Sequence, residues 1–194
     1  MPNQYYRTKA ALAEAVLKRV ARETLDSATA IWGADATLLE KFVRMRDWTW
    51  QSYLRFNPEG RGGRPWGLLA RFSNEADALT PEMRQIIRAT LNKLAEEIRG
   101  AVRAALAARE LAEDTPVDGV ALQIMSVMHL TGQLTRHTAV FTQLDELMKW
   151  TIAGLLKAYG GRKAPKFAWP ALPKAAALTG PAGPAGQSAG KTRK

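Results

Sequence analysis

The stretch TPEMRQIIRATLNKLAEEIRGAVRAAL, Thr80 to Leu106, decides the fold class. Met83, Ile87, Leu91, Leu94, Ile98, Val102 and Leu106 recur at steps of three and four, which places them on one face of an α-helix. The start is marked three times over. Thr80 offers a hydroxyl to a free first-turn amide, Pro81 has no amide to leave unpaired, and Glu82 puts a negative charge at the positive end of the macrodipole. The stripe fades near Glu110. A long helix with one apolar face needs other helices to cover it, so the flanking sequence is read for them.

Helical spacing continues on both sides. Upstream, Lys9 to about Ala30 carries Leu12, Val16 and Val20 in one stripe, with Thr8 as its N-cap. Asp35 to Phe56 carries two apolar faces, Leu39, Phe42, Val43, Arg46, Trp50, Tyr53 and Leu54 on one and Leu38, Met45, Trp48 and Phe56 on the other. Two apolar faces predict a central helix. Asn57 to Pro65 holds two prolines and three glycines and reads as a loop. A short helix from Gly67 to about Glu75 follows. Downstream, Thr115, Pro116 and Asp118 open a helix with Val117, Val120, Ala121, Ile124, Met128, Thr131 and Thr135 on one face. Thr142 and Asp145 have the spacing of a capping box for a last helix, which carries Leu144, Met148, Thr151 and Leu155 near heptad spacing and stops at Tyr159 before two glycines. Sustained apolar/polar alternation is missing, so the chain reads as all-α.

Composition narrows the function. The 194 residues are 46% hydrophobic and 24% charged, enough for one packed domain and a tail. With no cysteine and two histidines, thiolate chemistry, disulfides and histidine-rich metal centres are excluded. No run approaches the roughly 18 apolar residues of a membrane span, and no secretory leader is legible, so a cytoplasmic protein is expected. The net charge is +10, and seven basic residues with no acid fall after Tyr159. The basicity thus belongs to the end of the chain, residues 160–194, whose Gly, Pro, Ala and Lys content predicts a disordered tail. A solubilising role for that tail competes with sequence-independent affinity for nucleic acid.

Catalytic motifs fail on context. Ala185 to Thr192 loosely resembles a phosphate loop, but only two residues follow it, so no helix N-terminus is available to aim amides at a phosphate. His129 and His137 lack the Glu-x-x-His spacing of a di-metal bundle. Glu96-Glu97 and Asp145-Glu146 read as solvated faces. No enzyme, cofactor or metal is expected.

The N-terminal residues Tyr5-Tyr6-Arg7-Thr8-Lys9, with Leu12 three residues on, resemble a junction in TetR-type transcriptional regulators. There an aromatic pair ends the recognition helix of a helix-turn-helix, and Ser or Thr, then Lys, starts the next helix. Gly67-Leu68-Leu69, Arg109-Glu110-Leu111, Thr115-Pro116 and Gly132 resemble the effector-binding and dimerisation domain of the same family. The resemblance covers about residues 3 to 158. It implies that 1–8 are the remnant of a recognition helix, that 9–159 form the effector-binding and dimerisation bundle, and that 160–194 are the tail. About forty further family residues, two helices and the start of the recognition helix, would precede Met1.

The family likeness also implies roles. Tyr5, Tyr6, Thr8 and Lys9 would contact DNA phosphates; the alternative is that the tyrosines staple the first helix to the body. Trp48, Trp50, Tyr53, Trp66, Phe72, Met125, Met128 and His129, with Gln123, could line a pocket for a small apolar or aromatic effector; helical spacing alone makes them plain core. Gly132, Thr135, Leu144, Met148, Thr151 and Leu155 would meet a second copy in a four-helix dimer interface. A helical dimerising or ligand-binding module without a DNA role is the competing reading.

Overall fold

A computed structural model describes residues 9–74 and 79–173. Six α-helices and no strand occur among them: α1 (Lys9–Trp32), α2 (Leu38–Leu54), α3 (Leu68–Asn74), α4 (Pro81–Ala107), α5 (Val117–Thr138) and α6 (Thr142–Tyr159). Helices α1, α4, α5 and α6 pack in that order, and α2 closes the ring against α6 and α1. The expected all-α bundle is what the chain forms.

The caps explain the boundaries. At α4 the Thr80 hydroxyl accepts the Met83 amide 3.2 Å away, with Pro81 next in sequence. Helix α2 starts three residues later than expected, because Thr37 and not Asp35 caps it. The Thr37 hydroxyl accepts the Glu40 amide, and the Glu40 carboxylate accepts the Thr37 amide at 2.8 Å. That amide, then the Thr37 hydroxyl, holds the Glu40 carboxyl below its ordinary pKa. The capping box expected at Thr142 does not form. Helix α6 begins after Phe141 without a side-chain cap, and Asp145 turns elsewhere. Thr115 likewise donates its hydroxyl to Ala112 O instead of capping α5, which starts behind Pro116.

Two apolar clusters hold the bundle. The larger joins Trp32, Phe42, Tyr53, Ile98, Val102, Ile124, Leu144, Met148 and Ile152, drawn from every long helix. The smaller joins Leu17, Leu69, Leu79, Met83 and Ile87 where α1, α3 and the start of α4 meet. The buried face of α1 is Leu17, Ala21, Ala28 and Trp32. The stripe expected there is rotated outward: Leu12 and Val16 are exposed.

Two buried cations fix α2. Lys41 donates to Trp32 O at 2.9 Å, and Glu110 accepts the Leu38 amide at 2.9 Å. Burial pulls the Lys41 pKa down, opposed by the charges of Glu110 and Asp35. Arg46, 1% exposed, donates to Asp47 Oδ1 at 2.9 Å and lies 3.6 Å from Asp145.

The stretch 160–173, expected as the beginning of a disordered tail, instead lies against the bundle. The Gly161 amide donates to Glu110 O and the Lys163 amide to Arg109 O, rooting it beside the end of α4. Farther along, Arg46 donates to Pro170 O, Trp50 Nε1 to Pro173 O, and Trp169 Nε1 to Asp145 Oδ1. The ordering comes from these donors and from Trp169 and Leu172 packing on the main core. The rest of the expected tail, 174–194, lies outside the described residues.

Candidate functional site

The residues expected at a pocket do not converge on one place. Trp50, Tyr53 and Trp66 do meet, and Phe141 joins them. Trp50 stacks on Tyr53 with centroids 5.8 Å apart, Phe141 lies 4.9 Å from Trp50, and Trp66 meets Tyr53 edge-on at 6.2 Å. Their polar ends are all engaged. Tyr53 donates its hydroxyl to Gly62 O at 2.8 Å, and Trp66 Nε1 donates to Thr135 Oγ1 at 2.7 Å. Burial raises the Tyr53 pKa, so the phenol stays protonated and donating. This is a filled aromatic wall. Phe72 belongs to the smaller cluster, and Trp48 is half-buried at the edge of α2.

Open space lies instead between α4 and α5, in a groove of about 530 Å³. Leu91 and Ala95 of α4 face Ala121, Met125 and Leu130 of α5, with Asn92, Ser126 and His129 as polar groups among them. One end is closed by an ion pair, Arg99 Nε to Asp118 Oδ1 at 2.8 Å. Two expected residues, Met125 and His129, therefore do line an open site. Met128 is half-buried against the main core, and Gln123 is exposed outside the groove lining. A His129 ring nitrogen lies 3.1 Å from Met125 O. The groove is mostly apolar with a few polar groups, the make-up of a small-molecule site. Sequence reading missed its α4 wall. The signal was present: Leu91, Ala95 and Arg99 are four apart, as are Ala121, Met125 and His129, so each set shares one helix face. No group of three metal-ligating side chains occurs among the described residues.

The expected dimer residues need correcting. Leu144, Met148 and Leu155 are buried in the chain's own core, and Thr135 is fully buried against Trp66. At Gly132 a Cβ would lie 3.6 Å from Trp66 O, an ordinary contact with the chain's own loop. Thr151 is half-buried and donates to Leu147 O. The heptad-like spacing was real, but α2 and α5 already cover that face. Large apolar groups of α5 and α6 remain exposed. Leu122 and Leu130 of α5 are 68% and 48% exposed, and Trp150 of α6 is 63% exposed. Trp150 is held upright by Glu146, which accepts its indole N–H at 2.7 Å.

Of the residues expected to touch DNA, Tyr5, Tyr6 and Thr8 lie outside the described residues. Lys9 is the first, exposed residue of α1. No helix among the described residues is long and apolar enough to cross a membrane.

Three comparisons bear on this geometry. A family described as "Tetracyclin repressor-like, C-terminal domain" matches residues 48–149, from the middle of α2 through most of α6's first two turns. A solved TetR transcriptional regulator from Chloroflexus aurantiacus J-10-FL superposes with a TM-score of 0.66 at 19% identity, covering 83% of this chain and 79% of that one. No curated protein matches the chain.

Proposed function

We propose, from the premise that this chain belongs to the TetR-type regulators and carries their C-terminal domain, that it is an effector-responsive, DNA-binding transcriptional regulator that acts as a homodimer. The effector site in this reading is the α4–α5 groove, and the single observation that carries it is the open, mostly apolar space between these helices, walled on α5 by Met125 and by the exposed Leu122 and Leu130. A ligand wedged between α4 and α5 would shift α5 against α4. If α5 and α6 form the seam with a second copy, that shift alters how two α1 helices are spaced, and so how two DNA-reading heads meet a duplex. The effector class is small and largely apolar, with one or two polar groups for Asn92, Ser126 or His129.

The other expected features follow the same reading. Lys9, the first residue of α1, marks its DNA end in this reading, where the exposed Leu12 and Val16 would offer a DNA-reading head an apolar seat; Tyr5, Tyr6 and Thr8, outside the described residues, precede it in sequence. The second copy is met in this reading through the exposed Trp150 of α6, since Leu122 and Leu130 already line the groove.

The test is a selection of bound duplexes from a random pool, run with the chain joined to the residues that its reading frame encodes before Met1, and repeated with compounds that raise its Tm. A regulator enriches a two-fold symmetric site and releases it when such a compound binds. Binding of those compounds without any enriched site would leave the ligand-binding module without a DNA role. A monomer with no enriched site and no stabilising compound would remove the proposal altogether.

A further inference from the structure

The cleft between α2 and α6 is built around a segment of the chain itself. Arg46 and Trp50 are four residues apart on α2, so their side chains leave the same face. Both donate to main-chain oxygens of the segment at 160–173: Arg46 Nη1 to Pro170 O at 2.5 Å, and Trp50 Nε1 to Pro173 O at 2.9 Å. The two acceptors are three residues apart, which is one turn of a polyproline II helix, so successive carbonyls of such a ridge present themselves at that interval. One side chain supplies the remaining specificity. The ring of Trp169 lies 5.0 Å from the Arg46 guanidinium, and its indole N–H reaches Asp145 Oδ1 of α6 at 3.0 Å.

This is the chemistry by which proline-rich ligands are held elsewhere: donors from an aromatic-lined surface to main-chain carbonyls, plus one pocketed side chain, with little ordering entropy lost because proline pre-sets the backbone. Arg46 is committed to it. The guanidinium is buried, and its carboxylate partners Asp47 and Asp145 are 31% and 18% exposed. Take the segment away and a buried guanidinium edge and an indole N–H face an empty cleft. The segment is also only loosely joined to its root. Gly161 and Lys163 are hydrogen-bonded to the end of α4, whereas 165–168 reach the cleft without a hydrogen bond of their own among the described residues.

We propose that the α2–α6 cleft is a recognition site for a proline-rich segment of the pattern Trp-Pro-x-x-Pro, occupied in cis by Trp169 to Pro173 and open to the same pattern in another polypeptide when that strap lifts. A tethered occupant acts at an effective concentration on the order of millimolar, so the site is shut to outside partners in the resting chain. The Trp50 indole that holds the strap also stacks on Tyr53, so occupancy of the cleft is sensed directly by the aromatic wall.

The probe is a fluorescein-labelled peptide with the sequence of residues 164–175, titrated by anisotropy into the full chain and into the full chain carrying Trp169→Ala. The expected result is binding at least about tenfold tighter to the variant, whose own strap competes poorly. Binding is lost when Arg46→Met is added, and lost when the peptide's tryptophan is replaced by alanine. No binding to folded Trp169→Ala chain up to about 1 mM peptide overturns the proposal, and so does equal binding to both chains. A lowered Tm without peptide binding would mean that the strap is a structural buttress only, which also overturns it. If Trp169→Ala fails to fold by its helical circular dichroism, Trp169→Phe, which loses the indole N–H bond to Asp145 and part of the ring but keeps an aromatic side chain, is titrated against the same criteria.

Discussion

Met148 and Trp150 stand two residues apart on α6 and face opposite ways, so truncating each to alanine separates the chain's own core from the proposed seam with a second copy. Met148 has no exposed surface and belongs to the large cluster beside Leu144 and Ile152. Met→Ala in such a site removes transfer free energy and leaves a cavity, about 2–5 kcal/mol together. For a domain of this length each kcal/mol moves Tm by roughly 2–4 °C, so a fall of about 10 °C is expected. Trp150 is 63% exposed and makes a hydrogen bond to Glu146 and a contact with Lys149. Both lie in water and contribute at most a few tenths of a kcal/mol to the lone chain. If Trp150 is instead buried by a partner, truncating it costs about 2 kcal/mol of association, roughly thirtyfold in Kd. Thermal unfolding at several protein concentrations, with sedimentation equilibrium, reads both effects. Met148→Ala should unfold early and still dimerise. Trp150→Ala should dissociate at a concentration roughly thirtyfold higher, with the stability of the lone chain little changed. A Met148→Ala chain that dissociates without losing stability would refute the inside/outside assignment of α6.

Other substitutions test separate links. Thr37→Ala removes the hydroxyl half of the α2 capping box and should cost about 1 kcal/mol in urea unfolding at neutral pH. Glu40 has a lowered pKa in the fold, so its contribution is complete above its unfolded value and is lost as pH falls through the folded one. Glu40→Gln should therefore flatten that part of the acid stability profile. Gly62→Ala should cost about 1–3 kcal/mol, because φ is 124° there and a Cβ would lie 2.8 Å from Asn57 Oδ1, the acceptor of the Arg64 amide. Its reversal of sign, a stabilised variant, would count against the pinned 57–66 loop. Trp66→Phe removes the donor to Thr135 and should cost about 1–2 kcal/mol, and in a double-mutant cycle with Thr135→Val the two losses should fall short of additivity.

What the sequence made legible was whatever local chemistry decides. Helix α4 was readable because seven large apolar residues keep one period and three start signals agree. Helix α1 was misread because its buried face includes Ala21 and Ala28, and alanines carry no weight in a search for large apolar stripes. The α6 stripe was found but assigned to the wrong neighbour. Periodicity says that a face is covered, and it is silent on whether the cover comes from the same chain. The strap at 160–173 was hidden by its composition, since Gly, Pro, Ala and Lys read as linker. Its one advance signal was Arg46, a cation set squarely on the apolar stripe of α2, which had to find acceptors somewhere. The open groove was half-legible for a similar reason. Met125 and His129 stood out by type, while Leu91 and Ala95 look like ordinary members of a stripe until α5 is seen to leave them partly uncovered.

Helix α2 shows why a polar contact can matter more to behaviour than to stability. Its two buried cations are both satisfied by main-chain oxygens of other segments, Lys41 by the end of α1 and Arg46 by the strap. Replacing such groups by apolar ones of similar volume is often neutral for stability, because desolvation offsets the attraction. Breaking them is a different matter, since a cation left buried without its acceptor costs several kcal/mol. A slide of α2 would draw Lys41 away from Trp32 O and Arg46 away from Pro170 O, while Arg46 would keep Asp47 of its own helix. An apolar α2 would lose little by such a slide; this one gives up directed bonds, and bonds made in one packing and not in another are what a ligand or a displaced strap can select between.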